Sequence, residues 1–227
     1  MNHAPRYVLR KMRYEDIPQV VVIDRQSFPM PWSASVYRYE IGQNSYSTMV
    51  VVCRYEPSLA DHEPTGLTRL LDRLMGRDHE SPHRIVLGYG GFWLNQGEAH
   101  ISTIASHPAY RRQGLGELLL AGMIRRSLNL DAGQISLEVR VSNTAAISLY
   151  RKYGFVQVGV KPHYYRDNME DALDMRVDPI DHRYRVFLAE RWEALAARLA
   201  FLDAFTSDRA TGKIGPPDSR LSRRNRA

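Results

Sequence analysis

Two stretches of sequence decide the fold of this chain: ISTIASHPAYRRQGLGELLL at residues 101–120 and ISLEVRVSNTAAISLYRKYGF at residues 135–155. In the first stretch an apolar run is followed by a short loop, by Arg-x-x-Gly-x-Gly from Arg111 to Gly116, and by a leucine-rich segment. A glycine turn that leads into a helix presents backbone N–H groups at the positive end of the helix dipole, which suits a phosphate. We therefore predict a strand, a phosphate-binding loop and a helix over 116–130.

The second stretch predicts a strand and then a short helix, with Glu138 on the strand twelve residues before Tyr150 on the helix. Apolar residues of the strand alternate with polar ones, so one face is polar. If that face lines a cleft in the middle of a sheet, burial raises the pKa of Glu138, unless Arg140 counteracts it. The pattern indicates an acid/base pair. The structural alternatives are a solvated Glu–Arg face and a tyrosine packed in the core.

The rest of the chain predicts a mixed α/β sheet with helices on both faces and an antiparallel start. Residues 1–180 form the main domain, interrupted at 55–83 by a Pro-, His- and acid-rich excursion between two strands, whose leucine stripe we expect to pack on the parent domain. An amphipathic helix is predicted over 181–205. Residues 206–227 are rich in Gly, Pro, Ser and Arg and are predicted to be a disordered basic tail.

Taken in order, these motifs resemble the GNAT superfamily of acetyl-CoA-dependent N-acetyltransferases and, within it, the ribosomal-protein-alanine N-acetyltransferases. The resemblance covers about residues 6–55 and 84–178. It implies a mostly antiparallel central sheet of about seven strands that is split at the acetyl-CoA site.

The resemblance also implies the residues that hold acetyl-CoA. The main chains of Ile104 and Ser106 would hold the pantetheine arm, residues 112–117 would wrap the pyrophosphate, and Asn143, two helical turns before Tyr150, would contact the cofactor. The complete predicted cofactor-binding set is Ile104, Ala105, Ser106, Arg111, Arg112, Gln113, Gly114, Leu115, Gly116, Glu117 and Asn143.

The same resemblance assigns Glu138 as the general base, acting through water, and Tyr150 as the acid that protonates the departing CoA thiolate. Tyr164 and Tyr165 precede Asp-Ala-Leu-x-Met, a pattern that similar enzymes place in a hairpin that grips the substrate. Trp32 ends a Phe-Pro-Met-Pro-Trp loop on the other wall of the peptide groove, where an extra Met-Pro interrupts the family's Phe-Pro-Trp-Ser pattern.

Composition narrows the class of protein further. The sequence contains no Cys/His spacing of the kind that binds zinc, and no metal is predicted. We assign packing or solvated roles by default to three histidines, His100, His107 and His163. The single cysteine, Cys53, lies in an apolar run and fits burial in a protein of the reducing cytoplasm. No segment of the sequence is apolar over the length needed to cross a membrane.

The charge of the chain is concentrated at its end. Residues 206–227 carry six basic and two acidic side chains, and so hold four of the six net positive charges. We predict a weak contact with RNA or the ribosome through this tail.

The leading reading is an enzyme that moves an acetyl group from acetyl-CoA to a protein N-terminus, with an alanine of a small-subunit ribosomal protein as the expected target. One alternative keeps the chemistry but has a small amine or a lysine side chain as acceptor. The other is a CoA-binding, ribosome-associated interaction protein without turnover.

Overall fold

The computed structural model of the protein describes residues 5–55 and 85–206. This part of the chain folds around one sheet with helices on both faces. The strands are β1 (Tyr7–Lys11), β2 (Ser47–Arg54), β3 (Val86–Asn95), β4 (Glu98–Ser106), β5 (Gln134–Arg140), β6 (Val156–Tyr165), β7 (Glu170–Val177) and β8 (Phe201–Ala204). The helices are α1 (Ile17–Ser27), α2 (Ala34–Gly42), α3 (Leu115–Asn129), α4 (Thr144–Lys152) and α5 (His182–Leu199), with short 3-10 turns at Tyr14–Asp16 and Pro108–Tyr110.

The sheet has the strand order β6-β7-β5-β4-β3-β2-β1-β8. Its neighbouring strands are antiparallel except for β4 with β5 and β1 with β8. The predicted mixed, mostly antiparallel sheet flanked by helices is therefore confirmed.

A split opens between the two central strands β4 and β5. They pair only from Glu98↔Gln134 to His100↔Ser136. Beyond that point β4 continues along β3 as far as Ser106, while β5 continues along β7 as far as Arg140. Each strand thus loses one neighbour and keeps the other, which leaves a wedge-shaped opening in the middle of the sheet.

The core lies in two layers, one on each face of the sheet. In β2, Val50 and Val52 belong to the layer under α3 and α5, whereas Val51 and Cys53 belong to the layer under α1 and α2. All four side chains are buried, because alternate residues of a strand point to opposite faces and both faces here are covered. Cys53 is accordingly a buried packing residue, as the sequence predicts.

The appended segment differs from its prediction. Its helix ends at Leu199 rather than at 205, because Ala200 takes a left-handed conformation with φ of 49° and turns the chain. Residues Phe201–Ala204 then form β8, which pairs in parallel with β1 and adds an eighth strand to the seven predicted. Phe201 packs edge-on against Trp192 of α5 with the ring centroids 5.1 Å apart, so strand and helix hold each other in place.

Two of the predicted regions lie outside the described residues: the excursion at 55–83, apart from Tyr55, and the tail at 206–227, apart from Thr206. In the part of the chain that the structure does describe, no helix combines the length and the apolar character needed to cross a membrane. In the same residues no three His, Cys, Asp or Glu side chains converge as metal ligands would.

Candidate active site

The predicted phosphate loop leads from β4 into α3. Gly114 is the N-cap of α3 with φ of 84°, a conformation that residues with a Cβ rarely adopt. The first backbone bond of the helix runs from Leu118 N–H to Gly114 C=O at 3.0 Å. The amides of residues 115–117 therefore have no acceptor within the helix, and no side chain caps them. This arrangement can bind an anion.

A ligand can approach the start of α3 closely because Gly116 carries no side chain. Among the residues that the structure describes, a Cβ at this position would have a single neighbour within 4 Å, the Ser106 hydroxyl at 3.6 Å. Ile104, Ala105 and Ser106 lie on the part of β4 that has lost β5 as its neighbour. Their backbone edge, the helix start and the Ser106 side chain thus meet at the split.

The other predicted cofactor residues lie around this loop. Arg111 and Arg112 are exposed, and Arg111 lies 3.4 Å from the Ser27 hydroxyl of α1. The Gln113 side chain accepts a hydrogen bond from the Tyr7 hydroxyl at 3.4 Å. Asn143 is the N-cap of α4, where its side-chain oxygen accepts from the Ala146 amide at 3.2 Å. Asn143 has a structural role in starting α4, and its predicted contact with the cofactor stays a prediction.

Glu138 lies two residues beyond the last pairing of β5 with β4, at the start of the split. Its carboxylate accepts from Lys161 of β6 and lies 3.2 Å from Nε2 of His100 on β4. Lys161 also lies 3.8 Å from Asp174, the residue of β7 directly opposite Glu138. The four side chains lie on one face of the sheet, with His100 and Lys161 each two residues out of register with the adjacent strand and therefore diagonal to Glu138 and Asp174.

The pKa of Glu138 is shifted in the direction opposite to the expectation. Burial of the side chain, which is 12% exposed, acts to raise it, but the hydrogen bonds from His100 and Lys161 outweigh burial and lower the pKa to about 2. Arg140 is not the counter-charge: it pairs with Asp167 at 2.6 Å and Glu170 at 3.0 Å. The expected raised pKa was wrong because two other strands, β4 and β6, supply hydrogen-bonding partners that the β5 sequence does not contain.

His100 is a site residue that sequence reasoning missed. Besides facing Glu138, its Nδ1 lies 3.1 Å from the Ser136 hydroxyl, which donates to Glu98 at 2.7 Å. The Trp93 ring stacks on its imidazole with the centroids 5.9 Å apart. The sequence did contain a pattern that could have identified it. His100 lies between the core residues Ala99 and Ile101, just as Glu138 lies between Leu137 and Val139. Both side chains therefore point to the same face of the sheet if the two strands are neighbours.

Tyr150 lies on α4 with its ring in the core, tilted against Phe155 at 5.9 Å between centroids. Only 6% of its surface is exposed, and burial, together with nearby Tyr165, raises its pKa. No residue of the described chain forms a hydrogen bond with its hydroxyl. The phenol is therefore held in its protonated form, and its O–H is free to serve a ligand, which fits the predicted acid.

Tyr164 and Tyr165 are the last two residues of β6, which reaches Tyr165 through an irregular register between Lys161 and Tyr165. Pro162 is tolerated there because β6 is an edge strand, where a missing donor breaks no second ladder. The structure brings both tyrosines beside Glu138.

Charge and aromatic contacts fix the two rings. They pack edge to face with centroids 5.2 Å apart, and the Arg140 guanidinium lies 3.9 Å from the centre of the Tyr165 ring. Burial and the neighbouring Glu138 carboxylate raise the pKa of Tyr164, while burial and Tyr164 raise that of Tyr165 to about 12. Both phenols stay protonated at neutral pH and can donate hydrogen bonds.

Trp32 packs against the core layer under α1 and α2. Its ring packs on Tyr37 at 5.5 Å, and its amide donates to the buried Asp24 at 2.6 Å. Asp24 also accepts from the Tyr89 hydroxyl of β3, so the loop before α2 is tied to the sheet. Within residues 5–55 and 85–206 no hydrogen bond or ring contact joins Trp32 to Glu138 or to the twin tyrosines.

Comparison with known proteins agrees with this geometry. Residues 17–155 match the sequence model of the Acetyltransferase (GNAT) family. A Bacillus subtilis (strain 168) protein, provisionally named a ribosomal protein bS18-alanine N-acetyltransferase, is 36% identical over 169 residues, 74% of this chain and 93% of its own. The Escherichia coli (strain K12) ribosomal protein bS18-alanine N-acetyltransferase is 42% identical over 80 residues, 34% of this chain and 54% of that enzyme.

The fold is similar to known structures as well. The crystal structure of the ribosomal-protein-S18-alanine N-acetyltransferase from Escherichia coli has a TM-score of 0.57 and 25% identity, covering 77% of this chain and 94% of that one. A split α/β sheet with a glycine loop at the split defines the class of acyl-CoA-using transferases. The chain belongs to the GNAT acetyltransferase family and is an acetyl-CoA-dependent N-acetyltransferase.

The residues present fit acetyl-CoA. The uncapped amides of 115–117, the missing Cβ at Gly116 and the free edge of β4 meet at one place, and each would be left unexplained by packing alone. When bound, acetyl-CoA supplies an activated thioester. The loop and the β4 edge are the parts of this chain that would hold it.

Proposed function

We propose that the enzyme acetylates protein N-termini, with the N-terminal alanine of a small-subunit ribosomal protein as its target. The observation that carries this proposal is the position of Glu138 at the start of the split, with Tyr164 and Tyr165 beside it. Two phenol donors next to an anion suit the start of a peptide, which offers both an ammonium group and backbone carbonyls. The names of the relatives in Bacillus subtilis and Escherichia coli support the choice of a ribosomal protein.

In the proposed reaction the neutral α-amine attacks the thioester carbonyl, so that the N–C bond forms and the C–S bond breaks. Glu138 acts on the proton that the amine gives up, and Tyr150 donates its proton to the sulfur. Backbone N–H groups along the free edge of β4 are the donors available to the carbonyl oxygen. Both substrates are bound together, and no covalent enzyme species is needed.

The low pKa of Glu138 defines how it works. An α-ammonium group titrates near pH 8, about six pKa units above this carboxylate, so the proton cannot remain on Glu138. We propose that Glu138 attracts and orients the ammonium group, that His100, 3.2 Å away, holds the carboxylate in position, and that the proton passes through water to solvent.

The direct test measures CoA release with three acceptors. The first is a peptide with a free N-terminal alanine, the second is the same peptide blocked at its N-terminus but containing a lysine, and the third is a polyamine such as spermidine. We expect rapid release with the first acceptor alone. Faster release with the blocked lysine peptide or the polyamine would favour the second reading of the sequence, and release with none would favour a protein that binds CoA without turnover.

The cofactor loop is tested by Gly116→Val. A Cβ fits at this position at ordinary contact distance, whereas at Gly114 the φ of 84° strains any side chain, so Gly116 is the cleaner site. We expect acetyl-CoA binding in calorimetry to weaken more than tenfold, with melting temperature nearly unchanged. Undiminished binding would place the cofactor elsewhere.

For the tail we propose a weak, salt-sensitive contact with RNA, supported by its charge alone. Truncation should remove residues 207–227 and keep Thr206, which is buried and bonded to Asp203. The truncated enzyme should acetylate short peptides at the full rate and lose RNA binding at low salt; equal RNA binding would refute the contact. We also propose that the enzyme acts in the cytoplasm, which cell fractionation would check.

A further inference from the structure

Helix α5 lies outside the part of the chain that matches the family, which ends at residue 155, yet it touches both helices of the cofactor site. At its start, the Tyr184 hydroxyl donates to the Tyr153 carbonyl at 2.9 Å, just after α4. At its end, Leu199 reaches to 3.3 Å from the Cβ position of Gly114, at the start of α3. Its apolar side is buried in the main core, so the position of the helix is fixed rather than incidental; the buried residues are Leu188, Trp192, Leu195 and Leu199.

The last turn of α5 brings an arginine to the phosphate loop. The two terminal nitrogens of Arg198 lie 3.1 and 3.4 Å from the Cβ position of Gly114, so the guanidinium lies directly against the N-cap of α3. Nη2 of Arg198 also donates to Glu117 at 2.7 Å, and Glu117 is the third residue of α3. The guanidinium therefore lies beside the turn whose amides are uncapped.

Glu117 keeps other partners if Arg198 leaves it. Its second oxygen accepts from Lys152 and, at 3.0 Å, from the Tyr153 hydroxyl, both at the end of α4. Arg198 is 52% exposed, so its side chain is able to rotate towards a ligand. If Arg198 moved from this carboxylate to a phosphate, Glu117 would therefore still have charged and hydrogen-bonding partners.

The space beside this arginine is a cleft of ≈ 340 Å³ between α5 and the ends of α3 and α4. Three cationic side chains line it, against two carboxylates; the cations are Lys152, Arg191 and Arg198. A cleft with a cationic excess that opens at a phosphate loop suits an anionic ligand. Guanidinium groups bind phosphate oxygens through paired N–H donors, which makes arginine the better suited of these residues to grip a phosphate.

We propose that Arg198 binds the pyrophosphate of acetyl-CoA, so that the appended helix completes a cofactor site that the family domain begins. Arg198 moves from Glu117 to the phosphate when the cofactor enters, and Glu117 stays with Lys152 and Tyr153. The inference rests on the proposed cofactor loop at 112–117 but not on the identity of the acceptor, since it concerns binding of acetyl-CoA alone.

The test is calorimetry of acetyl-CoA and of acetyl-dephospho-CoA, which lacks the 3′-phosphate but keeps the pyrophosphate, without any acceptor. Arg198→Ala should weaken both ligands by a similar factor, on the order of tenfold, and the loss should shrink at high salt. Arg198→Lys should recover part of the affinity, because the charge remains while the paired donors are lost. The matched control is Arg185→Ala, an exposed arginine at the other end of the same helix.

Each other outcome overturns the proposal. Equal loss in Arg185→Ala would mean a general effect of charge, and loss for acetyl-CoA alone would assign Arg198 to the 3′-phosphate. Unchanged binding in Arg198→Ala, with Gly116→Val still impaired, would refute the role of α5 and leave the loop intact. Unchanged binding in Gly116→Val would refute the loop itself. Melting temperatures of all variants show whether a loss reflects binding or folding.

Discussion

Two half-buried carboxylates, Glu138 and Glu117, flank the split in the sheet, and each lies between two nitrogen-bearing side chains. Glu138 lies between His100 and Lys161, and Glu117 lies between Lys152 and Arg198. For both, burial acts to raise the pKa, and hydrogen bonds from neighbouring side chains outweigh it and lower the pKa. The two carboxylates are therefore held in similar ways.

They differ in where the partners come from. The partners of Glu138 lie on two other strands of the same sheet, β4 and β6, so the sheet sets their backbone positions. The partners of Glu117 lie on two helices, one of them beyond the part of the chain that matches the family. The site at Glu117 therefore depends on how these helices pack, and its exposed side chains can exchange partners.

The largest effect should come from Glu138→Gln. It removes the negative charge that attracts and orients the ammonium group while keeping the size of the side chain. Turnover should fall on the order of 10²-fold or more at pH 7, with acetyl-CoA affinity unchanged, because the residue acts on the amine and not on the cofactor. Steady-state kinetics and calorimetry separate the two quantities. The deficit should shrink above pH 8, where the amine loses its proton unaided.

His100→Gln sharpens this comparison, since it removes the imidazole that lies between Glu138 and Ser136. We expect a loss on the order of tenfold alone and little further loss when it is added to Glu138→Gln, because His100 is proposed to act by positioning Glu138. A wild-type rate in Glu138→Gln at pH 7 would end the assignment of Glu138. Fully additive losses would show that the two residues act independently.

Tyr150→Phe should have the next largest effect. The phenyl ring keeps the packing on Phe155, and no hydrogen bond within residues 5–55 and 85–206 is lost, so the melting temperature should stay close to that of the wild type. Turnover should fall about tenfold or more because no acid protonates the leaving thiolate. The exposed Tyr14 provides a control, as Tyr14→Phe should be silent. A substantial loss of stability with a normal rate would assign Tyr150 to packing.

The sequence predicted the elements of the sheet well, because their signals are local. Alternation predicted β5, and the glycine loop predicted the start of α3 to within one residue. The proposed acid Tyr150 and the proposed base Glu138 were found from motifs that carry their own spacing. Such signals need no knowledge of which strands are neighbours.

What could not be predicted depends on contacts between distant segments. Lys161 and His100 lower the pKa of Glu138, but they are 23 and 38 residues away in the chain, and only the strand order brings them together. Likewise β8 forms because its partner β1 is a sheet edge at the other end of the chain. A helical pattern through residues 182–205 does not show that Ala200 turns the chain back.

The smallest effect should come from Glu117→Gln. We expect this change to raise the affinity for acetyl-CoA, whereas Glu138→Gln should lower turnover, so the two carboxylates are distinguished by the direction of the effect. Glu117 neutralises Lys152 and Arg198 beside the phosphate loop, so its removal leaves an additional positive charge where the pyrophosphate is proposed to bind. Affinity for acetyl-CoA should rise about threefold at low salt, less than 1 kcal/mol for charges screened by water. Glu193→Gln on the exposed side of α5 makes the same change of charge away from the loop and should have a smaller effect. Calorimetry without acceptor measures both. A weaker affinity in Glu117→Gln would mean that this carboxylate serves to position Arg198 rather than to neutralise it, and the two sites would then be alike in function as well as in charge.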